Sequence, residues 1–265
     1  MELNDFVLYK NVWVNNNNIH HSERLNNHQY KGLLKKGGFL VRNIYNWDKT
    51  TPGSFWYIIK DYFGGLDELP TKVRNQVRKS LKTYDYKIVS KDWMRDNGLS
   101  LFNKSRERFG GNKLHLNKIE WEKKIDLEHA EYWVGFDKSS GVPSTFAINQ
   151  VFNDYCSYAI MGISPDFPNS TYPMYGLIFE MNHYYLERQN ILFVTDGART
   201  ISSHSNIQSF LEDKFKFRKA YCDMQLIYRP LFGLIIKMLF PFRKIIKEKH
   251  LTQLLNQEAM ARNLM

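Results

Sequence analysis

The sequence has little cysteine, which limits the kinds of domain it can form. Its 265 residues include only two cysteines, Cys156 and Cys222. That number excludes a disulfide framework and disfavours a paired-cysteine metal site, so no metal is expected. Both cysteines lie in strand-like runs and are predicted to be small core residues. The scarcity of cysteine is typical of a reducing compartment, and a cytoplasmic location is therefore expected.

Long apolar runs are also missing. The best candidate, Leu231 to Phe240, contains Lys237 and is shorter than the roughly 20 residues that a membrane-spanning helix needs. The first five residues contain neither a basic n-region nor an apolar h-region, so no secretory signal is expected. A hydrophobic fraction of 43% and an aromatic fraction of 15% instead favour a well-packed, β-containing globular core.

Acidic residues are fewer than basic ones. There are 37 Lys and Arg against 27 Asp and Glu, which gives a formal net charge of +10. This excess favours an anionic partner electrostatically, whether a phosphorylated cofactor, a nucleic acid or an acidic membrane surface. The charge alone does not choose among these three.

The apolar patterns predict an α/β (α+β) fold with a mixed, mostly antiparallel central sheet and helices on both faces. A helix from Thr71 to about Thr83 should bury Val73 and Val77 and carry basic residues on a neighbouring stripe. A meander with a hairpin turn at Ser139, Ser140 and Gly141 follows two further helices. The strands are predicted at Phe6 to Val14, Phe39 to Tyr45, Phe55 to Tyr62, Tyr86 to Val89, Glu131 to Phe136, Ser144 to Phe152 and Tyr155 to Ile163.

The segment from Tyr172 to Tyr221 is the most informative part of the chain. It reads as a helix from Pro173 to Gln189, a buried strand from Ile191 to Thr195, a turn at Asp196 to Arg199, a second helix and a second strand. Ligands in α/β folds favour the carboxyl ends of strands. This turn, which gathers an acid, a glycine and an arginine, is therefore the first place to look for function.

Two stretches resemble the GNAT-like acyltransferase superfamily, and more narrowly its FemAB-like branch. The basic helix Lys72 to Lys82 is similar to that branch's K-x-R-x-x-[IV]-R-[KR]-[AS]-x-K helix. The run from Tyr172 through Val194-Thr195-Asp196-Gly197 to Phe217 is similar to its pattern of a helix, a strand ending in D-x-G or D-G, and F-K-x-x-F-G, with Phe217 in place of that pattern's glycine. With the order of elements, the resemblance covers roughly Gly38 to Tyr228.

The resemblance implies an N-acyltransferase of bacterial type. Residues 1–229 would form the acyltransferase domain, with 1–69 as a degenerate N-terminal part, and 230–265 would form a basic, amphipathic helical tail. An amine acceptor would attack the acyl group of acetyl-CoA, of another acyl-CoA, or of an aminoacyl-tRNA. The alternative is a GNAT-like binding module without catalytic activity that holds an anionic partner.

The same resemblance implies where a donor would lie. Strand N–H groups at Met161, Gly162 and Ile163 would polarise the acyl carbonyl, since the family binds it beside its fourth strand. The donor's phosphates would lie at the start of the next helix. The sequence departs from the family here, because no [QR]-x-x-G-x-[GA] pyrophosphate loop precedes that helix, which puts coenzyme A binding in doubt. The residues of this junction are Asn169, Ser170, Thr171 and Tyr172, and the alternative is an ordinary helix start capped by Thr171.

Three polar residues near the turn are candidates for catalysis. Asp196 could accept a proton from the attacking amine, with a pKa raised by burial, or could simply be a turn aspartate. Arg199 could bind an acceptor carboxylate or phosphate, or be an exposed turn residue. His204 could be a general base, although a solvated loop histidine is the commoner case.

Two basic surfaces complete the hypotheses. Arg74, Arg78 and Lys82 could bind a phosphate-bearing acceptor or tRNA, or form a solvated helix face. The tail over 231–249 is both apolar and basic, so it could lie on an anionic membrane as a peripheral contact. It could equally dock on the domain or on a second copy in a homodimer.

Overall fold

The structure, a computed structural model, describes residues 6–15, 19–110, 115–199 and 206–265. The strands are β1 (Phe6–Tyr9), β2 (Val12–Asn15), β3 (Leu40–Lys49), β4 (Phe55–Lys60), β5 (Tyr84–Val89), β6 (Ala130–Asp137), β7 (Pro143–Val151), β8 (Tyr155–Ile163), β9 (Phe193–Ala198) and β10 (Arg218–Tyr228). The α-helices are α1 (Asn27–Lys36), α2 (Thr71–Thr83), α3 (Lys91–Gly110), α4 (Lys118–Ile125), α5 (Pro173–Asn182), α6 (Ile207–Phe215), α7 (Pro230–Leu239) and α8 (Lys249–Ala261).

The chain forms two compact units, each built from more than one stretch of sequence. The first unit comprises Met1–Ile58, Ala198–Asn206 and Lys219–Met265 within the described ranges. The second unit comprises Ile59–Gly197 and Ile207–Arg218. Among the described residues, no helix combines the length and the apolarity that crossing a bilayer requires.

The sheet of the second unit has the order β9-β8-β7-β6-β5. Strands β5 to β8 pair antiparallel, and β9 pairs parallel with β8. The predicted hairpin turn joins β6 to β7, where Gly141 has a φ of 71° and the Asp137 N–H donates to the Val142 carbonyl at 2.9 Å. The Ser139 and Ser140 hydroxyl and N–H groups donate to the Asp137 carboxylate, and these bonds hold its pKa below the usual range.

Helices cover both faces of this sheet, as predicted. Alternate residues of a strand point to opposite faces. Tyr132 and Val134 of β6 pack with α3 and α4, whereas Trp133 between them donates to the Tyr185 hydroxyl beyond α5 at 2.8 Å. The core on the α3 side consists of Met94, Leu101, Phe102, Trp121, Ile125, Tyr132, Val134, Phe146 and Ile148.

The strands of the first unit also pair in both directions. Strands β1, β2, β3 and β10 lie side by side in that order, with β2 and β3 parallel and the other pairs antiparallel. The tail predicted to be helical forms α7 and α8, whose contact buries Ile236, Phe240, Leu255 and Ala259. A basic, mostly apolar tail sequence therefore becomes a helical hairpin with its own small core.

Three local predictions were wrong. The single strand predicted from Phe6 to Val14 is two paired strands, β1 and β2, because Lys10 and Asn11 have φ values of 48° and 64° and turn the chain back. Asp196, Gly197 and Ala198 continue strand β9 instead of forming a turn, with a local irregularity at Gly197, which has a φ of 87° and donates its N–H to Thr195 Oγ1 at 2.9 Å. The strand also begins at Phe193 and not at Ile191. Helix α1 was not predicted, although Asn26 and Gln29 form a capping box at its start.

Candidate functional site

Strands β8 and β9 run together for only a short distance, and this leaves an opening in the second unit. Their parallel ladder consists of Tyr155↔Phe193, Cys156↔Val194 and Ser157↔Thr195. Strand β8 then continues for six residues, to Ile163, without a partner residue in β9. The backbone of β8 beyond Ser157 is therefore open to a ligand on the edge that faces β9.

A β-bulge marks the place where the two strands part. Ile148 of β7 pairs with Ile160 and Asn149 pairs with Tyr158, so Ala159 is an extra residue in β8. Such a bulge bends the strand that carries it, and bulges are common beside active sites. The bend accounts for the early end of the ladder with β9.

Two of the three predicted positions in β8, Met161 and Ile163, present a backbone N–H group to the open edge, whereas the N–H of Gly162 points to β7. The Ser164 N–H donates to the Ser144 carbonyl at 2.8 Å, on the β7 side. Because successive N–H groups of a strand point to opposite edges, those of Ile163 and Met161 point to the edge facing β9. Gly162 has a packing role, because a Cβ atom there would lie 2.3 Å from the Phe146 ring.

Asp196 follows the last paired residue of β9 directly and has an unusual acidity. Burial raises its pKa from the ordinary 3.8 to about 7, while a hydrogen bond from the Gln208 side chain acts in the opposite direction. Gln208 is itself buried in α6. A carboxyl that titrates near neutrality can accept a proton and return it at physiological pH.

The junction between β8 and α5 is held by the protein's own hydroxyl groups. Asn169 and Ser170 are exposed, and a short 3₁₀ turn over Asn169–Thr171 precedes α5. The Thr171 hydroxyl lies 2.6 Å from the Tyr84 hydroxyl and donates to the Pro168 carbonyl. Thr171 is therefore not the helix cap; Tyr172, in the left-handed conformation, is the N-cap, and Pro173 is the first helical residue.

Ser80 of α2 forms hydrogen bonds with the backbone at the start of α5. Its Oγ accepts a hydrogen bond from the Gly176 N–H at 3.2 Å and lies 2.8 Å from the Tyr172 carbonyl. The Tyr86 hydroxyl donates to the Pro173 carbonyl at 2.7 Å. Pro173 has no N–H, and the Tyr175 N–H donates to the Tyr172 carbonyl. Three of the first four helical residues thus offer no N–H group to an incoming phosphate.

Among the basic residues of α2, Arg74 forms bonds within the protein, whereas Arg78, Lys79 and Lys82 are exposed. Arg74 contacts the Asp67 carboxylate at 3.4 Å and donates to carbonyls of the preceding loop. Arg78 and Lys82 are exposed, and the Lys79 ammonium lies 5.9 Å from the centre of the half-buried Tyr172 ring. The exposed Lys79 therefore lies beside an aromatic ring at the entrance to α5.

Arg199 and His204 are not brought into this opening by anything the structure describes. Arg199 belongs to the first unit, where its N–H donates to the Trp56 carbonyl at 2.8 Å and its guanidinium to the Ser54 carbonyl at 2.6 Å. These bonds indicate that Arg199 stabilises the backbone around Ser54 and Trp56. His204 lies outside the described residues.

Sequence reasoning missed the residues that support the site. Ser80 is a small polar residue three positions after Val77 on the buried stripe of α2, and this break in the stripe was a usable signal. Gln208 gave no signal, because only the fold brings it to Asp196. A buried network of Glu131, Trp133, Asn149 and Tyr185, which fixes the end of α5 on the sheet, was missed for the same reason.

The fold is shared with solved proteins, although no family model and no curated protein matches the sequence. The crystal structure of FemX is 12% identical, with a TM-score of 0.58 over 79% of each chain. The structure of L-PGS from Bacillus licheniformis is 14% identical, with a TM-score of 0.53 over 97% of this chain and 85% of that one.

The chain has a GNAT-like fold of the FemAB-like type. A third structure agrees: the C-terminal domain of a putative lysylphosphatidylglycerol synthetase from Agrobacterium fabrum is 9% identical, with a TM-score of 0.52 over 88% of this chain and 82% of that one. Identities this low show the fold alone. A FemAB-like fold is one used by acyl- and aminoacyltransferases, and the specific reaction has to be argued from the site.

Proposed function

We propose that this FemAB-like chain is an N-acyltransferase that moves an aminoacyl group from aminoacyl-tRNA to an amine acceptor. The observation that carries the proposal is the opening between β8 and β9, where Asp196, with a pKa of about 7, follows the last paired residue. An amine nucleophile needs a base of about this strength and donors for the developing oxyanion. The second unit offers a base at Asp196 and N–H donors at Met161 and Ile163, all within six residues of the last ladder pair, Ser157↔Thr195.

The start of α5 supports an aminoacyl-tRNA donor over an acyl-CoA donor. In a coenzyme A site the helix N–H groups would bind the pyrophosphate. Here Ser80 takes the Gly176 N–H, and Pro173 has none. The exposed cations Arg78, Lys79 and Lys82 instead form a patch suited to a nucleic-acid backbone, with Tyr172 as a ring on which a base can stack.

The proposed reaction is direct attack without an enzyme-bound intermediate. The acceptor nitrogen adds to the ester carbonyl carbon, and the N–H groups of Met161 and Ile163 stabilise the oxyanion. Asp196 takes the proton that the nitrogen loses. The ester C–O bond then breaks, and the proton passes to the departing ribose oxygen. Positioning the two substrates supplies the remaining rate acceleration.

The test compares two donors on the same protein. The purified chain is incubated with soluble amines (lysine, glucosamine and ethanolamine) and either a mixture of aminoacyl-tRNAs or acetyl-CoA, and amide products are detected by mass spectrometry. We expect products from aminoacyl-tRNA. The Asp196→Asn variant should lose roughly 100-fold or more in rate, as expected for removal of a general base. The exposed Asp213 of α6 provides the control variant Asp213→Asn, which should retain full activity.

Each other outcome has a definite meaning. Products from acetyl-CoA alone would show that the donor assignment is wrong while the transferase assignment stands. Full activity of Asp196→Asn would remove Asp196 from the mechanism. Salt-dependent tRNA binding without transfer to any amine would favour the alternative, a catalytically inactive binding module for an anionic partner.

A further inference from the structure

Helix α7 carries apolar side chains on a face that the described part of the chain leaves uncovered. Residues spaced by three and four positions share one face of a helix. On this face Leu231 is 81% exposed, Leu234 55%, Ile235 46% and Met238 57%. The stripe continues past the helix with Phe242, 57% exposed, and Ile245, 75% exposed. Side chains of this kind are scattered singly on an ordinary protein surface, so six in 15 residues form a patch that calls for a partner.

The core of the first unit does not need this outer face. Helix α7 packs on α8 through a different stripe, in which Ile236 and Phe240 are buried and Phe232 and Leu239 lie against them. Helix α7 is thus apolar on two faces, and only Gly233 and Lys237 separate them on the remaining side. A helix with this pattern is stable when a second apolar environment covers the outer face.

The charges around the outer face point to the chemistry of what covers it. The segment from Arg229 to Lys247 contains five basic residues and no acidic residue. Lys237, Lys244 and Lys247 are exposed, and Arg243 is half-buried against the Phe240 ring. Long lysine side chains can lay their methylene stems along an apolar surface while their ammonium groups reach anionic groups.

We propose that this outer face, defined as the exposed residues of α7 together with Phe242 and Ile245, docks on an anionic lipid bilayer. A second copy of the chain would cover the apolar residues but would bring two segments of charge +5 together. A nucleic acid would satisfy the charges but would not bury leucine and isoleucine side chains. An anionic bilayer satisfies both, because the apolar residues enter the acyl boundary and the lysines contact the headgroups.

The docking would place the first unit on a membrane surface that is rich in anionic lipids. It is independent of the proposed transferase activity, because the outer face contains none of Asp196, Met161, Ile163 or the α2 cations. It also needs no spanning segment, since the contact is peripheral and buries only one face of a helix.

The test is co-sedimentation of the full chain with vesicles of phosphatidylcholine alone or of phosphatidylcholine mixed with phosphatidylglycerol. We expect binding to the mixed vesicles, weakened by salt. The variant Leu234→Gln/Met238→Gln should bind roughly tenfold or more weakly, since two buried apolar side chains are removed from the contact. The variant Lys237→Gln/Lys244→Gln/Lys247→Gln should lose affinity for mixed vesicles by about fivefold per lysine.

The second unit supplies a matched control for the apolar variant. Ile119 and Leu192 are 66% and 62% exposed, so Ile119→Gln/Leu192→Gln removes equally exposed apolar residues elsewhere and should leave vesicle binding unchanged. Equal binding of the α7 variant and the control would overturn the proposal. So would a sedimentation-velocity dimer that Leu234→Gln/Met238→Gln converts to monomer, because a second copy would then be the occupant. Transfer to soluble amines is expected to be unaffected in all of these variants, so failure of docking and failure of the proposed reaction are separately visible.

Discussion

Asp196 links protein stability to pH in a direction that can be tested. Its folded pKa of about 7 lies above the ordinary 3.8, so the folded state holds a proton that the unfolded state has already released between those values. Ionised Asp196 therefore destabilises the fold, increasingly as the pH rises through this window and fully above about 7.

The variant Asp196→Asn should remove this penalty. At pH 8 we expect the variant to be more stable than the parent by up to about 4 kcal/mol, and less where water reaches the carboxyl. At pH 4 the two should be alike within about 0.5 kcal/mol. Urea unfolding at both pH values measures the difference. An equal difference at both pH values would show that the carboxyl ionises normally in the fold.

The same residue sets the expected pH dependence of catalysis. A general base must be ionised in the free enzyme, so kcat/KM should rise with pH and level off above a midpoint near 7. Rates of amide formation from aminoacyl-tRNA between pH 5.5 and 8 would show this midpoint. A midpoint near 4, or a flat profile, would mean that another group handles the proton.

At this scale the sequence could identify Asp196 but not its acidity. An aspartate followed by glycine at the end of an apolar strand is a visible pattern, and it singled out Asp196, which the structure places directly after the last paired residue of β9. The pKa shift arises from burial and from Gln208, and the chain brings these together only after folding. For Arg199, the pattern suggested a contact with a ligand, among other roles. The structure instead shows that Arg199 donates hydrogen bonds to the Ser54 and Trp56 carbonyls.

Among the elements, the contact between α2 and α5 is the one that shapes the site. Gly176 permits it, because a Cβ there would come within 2.6 Å of both Tyr86 and Ser80. Ser80 is fully buried and occupies the Gly176 N–H. Because of this contact, the backbone at the start of α5 forms hydrogen bonds with the Ser80 and Tyr86 hydroxyl groups.

Ser80→Ala should destabilise the second unit. The variant leaves the buried Gly176 N–H without its acceptor, which costs about 1–3 kcal/mol. The midpoint of urea unfolding should fall with the m-value unchanged. Thr83→Ala is the control, because the Thr83 hydroxyl only donates to the Lys79 carbonyl within the same helix. A loss no larger than that of Thr83→Ala would show that water replaces the Ser80 hydroxyl.

The boundaries of elements were predictable where the pattern was local. Helix α2 and strand β8 begin and end where the apolar spacing indicated. The early end of the β8–β9 ladder was not predictable, because a one-residue bulge at Ala159 leaves no mark on the apolar pattern of β8. The opening that carries the proposed reaction is therefore a product of strand pairing.

For the whole molecule, the net charge of +10 and the local patch on α2 have different consequences. The global charge attracts any polyanion and depends on the total number of basic residues. The patch of Arg78, Lys79 and Lys82 acts only on a ligand held at the entrance to α5. Removing two charges from α2 in one variant and two from α4 in another separates the effect of the patch from the effect of the net charge.

Arg78→Gln/Lys82→Gln and Lys118→Gln/Lys123→Gln both lower the net charge by two, and all four residues are exposed. If tRNA lies on α2, the first variant should weaken binding and reduce the slope of log K against log salt by about 2, whereas the second, on α4, should change the slope little. Fluorescence anisotropy with labelled tRNA over a range of salt concentrations gives both slopes. Equal slopes for the two variants would mean that tRNA responds only to the total charge, and the donor would then have to bind elsewhere.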